Sequence, residues 1–421
     1  MKSGIEKAFS VSPGDLKKIM RSFHREMDSG LAGGKSSLKM IPTYASKPTG
    51  DEKGRFIALD LGGTNCRILE VELKGKGRYS ILGVTRCSLG REDITGTGNA
   101  LFDFIAGCVR GFLDIEGLSS GEKRDLGFTF SFPVEQTGIA AGKLLKWTKG
   151  FSASGVEGRD VVKLLDDALR RQGLGNIKVA ALMNDTVGTL VSKSYEDPSC
   201  DAGVIIGTGT NACYEEDIAN ITKWRGPAAP GGRMIINIEW GNFDKLLQNA
   251  YDKKLDSASG NPGHHILEKM VSGLYLGELA RLVLGGRAFK AEDMSRIESD
   301  NSPSLARVGR VAKGLGLEAS ALKERRFIKD VCVLISLRAA RISAAAVAAV
   351  ITKIDPHLLR NHTVAIDGSV YEKHPRFAGE MKDALREIFG KDASRIKLVL
   401  AKDGSGKGAA ILAAVARGSR R

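Results

Sequence analysis

Apolar and polar positions along this chain follow two periods, and the places where one gives way to the other mark out the elements. Phe56-Ile-Ala-Leu is a short apolar run, and Arg67-Ile-Leu-Glu-Val-Glu-Leu73 alternates polar and apolar with period two, so 56–73 reads as strand, tight turn, strand. Further on, the pattern predicts a strand near 79–87, a helix around 99–113, a strand at 124–131, a helix at about 158–171 and a strand at 177–183. A helix-like segment, Asp15 to Asp28, precedes them behind Ser12-Pro13-Gly14. The second half is richer in helix. Residues 263–283 and 325–353 read as long helices, followed by strands at 363–367 and 396–401 and a closing helix over 406–417. Strands interleaved with helices predict mixed α/β sheets.

The longest apolar-rich run, Val331 to Ile354, is interrupted by Arg338 and Arg341 and rich in alanine, which predicts a packed helix and no membrane span. The opening stretch, MKSGIEKAFSVSPGDLKKIM, carries charges throughout and lacks the apolar region of a signal peptide, so a cytoplasmic protein is expected. At 421 residues the chain exceeds what one core usually supports, and 42% hydrophobic with 27% charged side chains is a globular make-up. Its 63 basic and 49 acidic side chains leave a net charge of +14, but the basic residues are scattered and aromatics are only 6%. That sets nucleic-acid binding aside and leaves an anion-attracting surface suited to a nucleotide. The six cysteines, at 66, 87, 108, 200, 213 and 332, form no Cys-x-x-Cys pair and read as reduced structural thiols. The pair His264-His265 reads as a structural or solvent-facing loop.

Two stretches break the strand pattern in the same way. LDLGGTNCR, Leu59 to Arg67, ends an apolar strand in two glycines, small polar side chains and an arginine; AGVIIGTGTNACYEE, Ala202 to Glu216, repeats the arrangement with Gly207-Thr-Gly-Thr-Asn211. Neither is a Rossmann fingerprint, which needs a third glycine opening a helix, nor a Walker loop, which needs Gly-Lys-Ser/Thr before one. A glycine hairpin still lets the main chain approach an anion closely, with N–H, hydroxyl, amide and guanidinium donors around it. Both turns end in Thr-Asn, and two copies suggest paired half-domains whose hairpins serve one phosphate-bearing ligand.

Three more stretches carry polar side chains that a core strand does not need. Ser131 ends a strand before Pro133, and Lys149 precedes a glycine in the loop that follows. Asn184-Asp185 comes directly after an apolar strand, where Asp185 suits either a helix start or a base. Glu239 lies among apolar residues in INIEWGNFD, where a buried carboxylate needs partners. Carboxylates and amides that each make two hydrogen bonds suit a sugar, because the wrong ligand leaves them unpaired. Phosphoryl transfer to a sugar hydroxyl then needs in-line positioning, charge stabilisation by metal and cations, and a base, for which Asp185 is the candidate.

The segments LDLGGTNCR, LGFTFSFP, WTKGF, NDTVGT, GTGTNACYEE, INIEWG, NPGHHILEKMVSGLYLGE, IDGSVYEKHP and DGSGKGAA, in that order from about residue 55 to 415, resemble those of the eukaryotic-type hexokinase and glucokinase family. The resemblance implies a two-domain actin-like ATPase fold of the ribonuclease H-like, sugar kinase type, with an interdomain cleft that closes on the sugar. The small domain would span 55–187 with the C-terminal helix 406–421, and the large domain 188–405 with the N-terminal segment 1–54. By matched motif, Asp185 would accept the 6-hydroxyl proton of a hexose attacking MgATP, with Lys149 beside the reacting hydroxyl. Ser131, Thr148, Lys149, Asn184, Asp185, Asn211, Glu239 and Glu268 would bind the hexose, and Asp60 would help hold Mg2+ through water. Gly63, Thr64, Asn65, Arg67, Gly207 and Thr208 would surround the β- and γ-phosphates of ATP. Gly273, Ser295, Gly368, Ser369, Gly404 and Ser405 would line the adenosine and α-phosphate region.

The resemblance is broken in three places. Ala291 stands where relatives often have threonine, Lys402 replaces a usually acidic residue, and GNFDKLLQNAYDKKLDSAS after Glu239 is short and unusual, which points to a different rim of the sugar cleft. One catalytic unit is expected, as monomer or homodimer, in place of the double-length arrangement of some relatives. The activity implied is ATP-dependent phosphorylation of glucose and related hexoses such as mannose and fructose, the first step of glycolysis. The rivals are a catalytically silent hexose sensor, whose mark would be loss of the base or of Lys149, and a kinase narrowly specific for another hexose.

Overall fold

The computed structural model describes residues 2–63, 65–118, 121–226 and 230–418. By internal packing the chain divides into two compact units. The first comprises Ile41–Gly203, Cys213–Asn237 and Ala401–Arg421; the second comprises Met1–Met40, Val204–Ala212 and Ile238–Leu400.

The thirteen strands among the described residues are Ile41–Pro42 (β1), Lys53–Leu61 (β2), Asn65–Gly75 (β3), Arg78–Ser88 (β4), Arg124–Phe130 (β5), Val134–Gly138 (β6), Ala141–Leu144 (β7), Ile177–Met183 (β8), Cys200–Ile206 (β9), Thr210–Asp217 (β10), Arg233–Asn237 (β11), His362–Asp367 (β12) and Ile396–Leu400 (β13). One five-stranded sheet runs β4-β3-β2-β5-β8, a six-stranded sheet runs β1-β11-β10-β9-β12-β13, and β6 and β7 form a separate hairpin. Leaving aside the edge strand β1 and the β6–β7 hairpin, both large sheets repeat one order: third, second, first, fourth and fifth strand of the half. β2, β3 and β4 form an antiparallel meander, while β5 joins β2 and β8 joins β5 in parallel. In the other half β10 pairs β11 antiparallel and β12 pairs β13 parallel. The pair of glycine turns in the sequence thus belongs to a duplicated sheet topology.

The parallel strands β5 and β8 are buried almost end to end, as strands covered on both faces must be. On one side the helices Gly98–Ile115 and Val161–Arg171 supply Leu101, Phe102, Ile105, Val109, Leu165 and Leu169 to a core with Ile57, Leu59, Leu126 and Phe128. The C-terminal helix Gly404–Gly418 packs on β2 and β5 so closely that glycine is required: a Cβ at Gly127 would lie 1.9 Å from the Ala409 carbonyl oxygen.

In the second unit the helix Leu322–Ile354 is 33 residues long, and its apolar stretch is 78% buried in protein. Arg338 explains why charge interrupts that stretch. Its guanidinium makes two 2.8 Å bonds to the Asp252 carboxylate with both side chains buried, and Arg341 pairs with Glu387.

Strands and helices fall where the hydrophobic periods place them, with one correction. Residues 263–283 do not form a single helix. Ile266–Val271 and Gly273–Leu284 are separated at Ser272, whose backbone is extended (φ −90°, ψ 152°). The break lets the Gly273 N–H donate to the Gly207 carbonyl at 2.8 Å and the Leu274 N–H to that of Thr208 at 3.2 Å, contacts a continuous helix would forgo.

Candidate active site

The polar residues singled out in the sequence lie at strand ends and in the loops that follow them, which is where open α/β sheets place their ligands. Asp60 and Arg67 are register partners across the β2–β3 ladder, so their side chains share one face. Arg67 Nη2 donates to Asp60 Oδ2 at 3.1 Å and its Nη1 to Asp403 Oδ1 at 2.6 Å. Ser405, one residue into the C-terminal helix, donates its hydroxyl to the same Asp60 oxygen at 2.8 Å. Burial pushes the Asp60 carboxyl above its ordinary value; Ser405 and Arg67 pull it back, and the charge of Asp185 adds to the rise. Arg67 holds Asp403 below the usual carboxylate range. Burial pulls the Arg67 guanidinium down, but Asp403 and Asp60 outweigh it and hold it more firmly charged.

Between the two strands, the Gly62 N–H closes the turn on the Asn65 carbonyl at 3.0 Å, and Asn65 Oδ1 accepts from the Ser88 hydroxyl at 3.3 Å. Thr64 lies outside the described residues. A Cβ on Gly63 would touch the Lys149 side chain at 3.6 Å, so this turn and the loop after β7 meet. Lys149 is exposed, takes left-handed backbone (φ 56°), and donates from Nζ to the Ser131 carbonyl at 2.7 Å. The exposed Thr148 precedes it, and its carbonyl accepts from the Phe151 N–H at 3.1 Å. Trp147, Phe132 and Phe151 pack beneath that loop, with ring centroids 4.8–5.2 Å apart.

At the end of β8, Asn184 caps the helix Asp185–Glu196 by accepting the Val187 N–H at 2.9 Å. Asp185 is half-buried in the first turn, and its Oδ1 accepts from the Thr186 N–H at 2.7 Å and hydroxyl at 3.1 Å. Its Oδ2 has no hydrogen bond among the described residues. Gly404 and Ser405 crowd the same helix: a Cβ at Gly404 would come within 2.9 Å of Thr189 Cα, and one at Gly188 within 2.8 Å of Ser405 Cα. Asp60, Arg67, Asp185, Gly404 and Ser405 are therefore neighbours in the first unit.

In the second unit, the Gly207 N–H closes its turn on the Gly209 carbonyl at 2.9 Å, leaving Thr208 exposed at the tip. Gly368, at the end of β12, has φ 124° and lies against this turn; a Cβ there would sit 2.4 Å from the Ile206 carbonyl carbon. Gly273 borders the same place, and Ser369 opens the helix Ser369–Lys373. Ser295, on the helix Ala291–Glu298, donates its hydroxyl to the Lys373 carbonyl at 2.7 Å. The sugar candidates form a second group: Asn211 Nδ2 donates to Glu239 Oε1 at 3.1 Å, and Glu268 Oε2 accepts the Thr210 N–H at 3.0 Å. Thr210 is pinned in turn, its hydroxyl donating to the Ile205 carbonyl and accepting from Trp240 Nε1, both at 2.8 Å.

Sequence reasoning missed Asp403 and His265. Both take left-handed backbone (φ 56° and 55°), as do Lys149 and Glu239 (both 56°). The sequence signal for Asp403 was its place before Gly-Ser-Gly; for His265 it was proximity to Glu268.

With this geometry in view, comparison with known proteins is decisive. Two family descriptions, both of hexokinase, match residues 2–195 and 201–415. Hexokinase-2 of Oryza sativa subsp. japonica is 44% identical over 444 residues, covering 97% of this chain and 90% of that protein. A solved hexokinase from Schistosoma mansoni complexed with glucose matches with a TM-score of 0.86 at 37% identity, covering 98% of this chain and 97% of that one. The ROK hexokinase from Thermus thermophilus, at 18% identity and a TM-score of 0.54 over 86% of this chain and 98% of that one, shares the fold alone. The fold is the two-domain actin-like fold of sugar kinases. The chain belongs to the hexokinase family and is a sugar kinase.

Proposed function

We propose that this enzyme transfers the γ-phosphoryl group of MgATP to the 6-hydroxyl of glucose, with Asp185 as the base. The observation that carries the reading is the Asp185 carboxylate, which Thr186 holds by Oδ1 while Oδ2 is left available to a hydroxyl proton. As the sugar oxygen bonds to the γ-phosphorus, the bond from that phosphorus to the β–γ bridging oxygen breaks, ADP leaves, and the hydroxyl proton passes to Asp185. Lys149 lies by the reacting hydroxyl, where its charge offsets the negative charge developing there. Ser131, Thr148, Asn184, Asn211, Glu239 and Glu268 are assigned to the hexose hydroxyls. The glucose carried by the matching Schistosoma mansoni hexokinase supports that substrate, with mannose and fructose as related ones.

Arg67 with the turns holding Gly63, Asn65, Gly207 and Thr208 is assigned to the β- and γ-phosphates. Gly273, Ser295, Gly368 and Ser369, with Gly404 and Ser405, are assigned to the rest of the nucleotide. Asp60 fits a magnesium role: Ser405 and Arg67 both bind its Oδ2, so Oδ1 is spared, and a nearby cation would relieve the burial that raises its proton affinity. Such an ion would be held mainly by the phosphates and water, as magnesium at nucleotide sites usually is. When bound, magnesium would neutralise charge on the transferring phosphates.

The test is ADP release by the purified enzyme with MgATP across glucose, mannose, fructose, glucosamine and no sugar, with Asp185→Ala alongside. Glucose-dependent release that falls by about 100-fold or more in the variant, the usual reach of a general base, with glucose binding retained, is the expected result. Near-normal turnover by Asp185→Ala would refute the base assignment.

A further inference from the structure

We propose that Cys87 and Cys108 are an oxidation site, where a hydroperoxide converts the two thiols to a disulfide that clamps the edge strand β4 to the helix Gly98–Ile115 and weakens ATP binding. The effect on ATP rests on the assignment of Asn65 and Arg67 to the phosphates; the disulfide itself does not. In the sequence the cysteines look like unrelated structural thiols. In the structure all six are free, four are buried, and the two that solvent reaches, Cys87 and Cys108, adjoin one another. Cys66 and Cys87 are register partners across the β3–β4 ladder and share the sheet face that the helix covers. Cys108 falls on the stripe of that helix that carries Leu101, Ile105 and Phe112 into the core, and with Cys87 it packs against the rim of that core. Three thiols thus converge at one end of the sheet.

Burial foremost, then the sulfurs of Cys108 and Cys87 and the Asp60 carboxylate, hold the Cys66 thiol well above its ordinary value. Burial, then the adjoining Cys87 sulfur and the Asp93 carboxylate, do the same for Cys108. Because the thiolate is the nucleophile, Cys87 is the attacking sulfur and Cys108 the resolving one. The Cys87 sulfur, having given up its proton, attacks the outer oxygen of the hydroperoxide. An S–O bond forms, the O–O bond breaks, and the remaining oxygen leaves with that proton as an alcohol, or as water from hydrogen peroxide. The Cys108 sulfur then attacks the sulfenic sulfur of Cys87; the S–S bond forms, the S–O bond breaks, and the hydroxyl leaves as water with the Cys108 proton. The two thiols lose two electrons and the peroxide gains them.

Successive side chains alternate between the faces of β3 and β4, so the thiols back onto the phosphate turn. On the opposite face Asn65 is the register partner of Ser88 and Arg67 that of Arg86, and the Ser88 hydroxyl donates to Asn65 Oδ1 at 3.3 Å. A disulfide draws the two sulfurs from contact to about 2.05 Å. The pull on Cys87 shifts Ser88, the next residue, and loosens a hydrogen bond that is already longer than usual.

The experiment treats the reduced, purified enzyme and its Cys108→Ala variant with hydrogen peroxide and maps disulfide-linked peptides by mass. The KM values for ATP and glucose are measured before treatment, after it, and after dithiothreitol. The expected result in the parent is a link between the Cys87 and Cys108 peptides and a rise of about fivefold in the ATP KM, equivalent to about 1 kcal/mol, with the glucose KM unchanged and recovery in dithiothreitol. Cys108→Ala places a good helix former in a helix; it should match the reduced parent, form no such link and keep its ATP KM under peroxide. No link between these two cysteines, a link to Cys66 in its place, or an equal response in Cys108→Ala would overturn the site. A link with an unmoved ATP KM would overturn the coupling to the nucleotide. Asn65→Ala in the reduced enzyme reads the phosphate assignment separately. An unmoved ATP KM there would remove that assignment and the effect on ATP with it, while the peptide masses still decide the disulfide.

Discussion

Replacing Ser405 by alanine deletes one atom from the network around Asp60. The backbone there is held from three sides: the Thr129 hydroxyl donates to the Ser405 carbonyl at 3.0 Å, Gly188 lies against Ser405 Cα, and the Gly404 Cα is packed on Thr189. The alanine variant is therefore expected to keep its fold while Asp60 Oδ2 loses its 2.8 Å hydroxyl donor and keeps only Arg67 Nη2 at 3.1 Å. A hydrogen bond to a charged group contributes about 1.5–3 kcal/mol. Because Arg67 remains, the lower end applies, a loss of about tenfold in kcat/KM for ATP. The sign with pH follows from the electrostatics. Burial already raises the proton affinity of Asp60, and the Ser405 hydroxyl opposes it by binding the ionised form. Without that hydroxyl the carboxyl is protonated at a higher pH, so the acid limb of the kcat/KM profile for ATP moves upward and the deficit is largest on the acid side. The assay is kcat/KM for ATP at saturating glucose over a pH series, with the glucose KM as control. A loss below about twofold, or under 0.5 kcal/mol, with an unmoved acid limb, would refute the role given to this bond.

Two further predictions concern stability. Asp252→Ala would strand the Arg338 guanidinium, which is 2% exposed and lies 4.6 Å from the centroid of the Phe9 ring. Breaking a buried pair costs about 3–5 kcal/mol, read as a lower urea midpoint, and Asp252→Ala with Arg338→Leu should recover part of it; an unchanged midpoint in the single variant would contradict the account. Asp300 accepts from the Ser302 N–H and hydroxyl and from the Arg307 and Val308 N–H groups at 2.7–3.0 Å. Burial pushes its carboxyl up, but these donors, the Ser302 hydroxyl foremost, bring it from its ordinary 3.8 to about 2. Its folded value is depressed, so its stabilisation is present above that ordinary value and fades as pH falls toward 2. Asp300→Asn should be less stable than the parent at neutral pH, and the gap in urea midpoint should narrow through that acid window; a gap constant with pH would show that Asp300 is not responsible.

Period and punctuation were enough to read a mixed α/β chain and many of its strands and helices in the amino-acid sequence, while the two-domain actin-like fold was expected from the resemblance to the family. The alternation in Arg67 to Leu73, the apolar run of 177–183 and the two glycine turns all correspond to strands and turns, because alternation marks a strand with one face in the core and a continuous apolar run marks one covered on both faces. The arginines inside the apolar run 331–354 likewise marked a helix buried in protein, since a guanidinium there demands a carboxylate such as Asp252. The break at Ser272 was not legible, because its cause is the docking of Gly273 on the Gly207 carbonyl, a contact between segments far apart in the chain.

The same division holds for the chemistry. Residue type and order along the chain determined the reaction class: a carboxylate at the end of a strand, two glycine turns, and amides and carboxylates in the family's order. Only the tertiary structure joined Asp403 and Ser405 to Arg67 and Asp60, more than three hundred residues away in the chain. The physical reason is that periodicity reports which face of an element is buried, whereas the partner of a polar side chain is chosen by which strand ends, loops and helix starts the sheet order brings together. Left-handed backbone at Lys149 and Glu239 belongs to that second category, since neither residue type favours it and the surrounding contacts impose it.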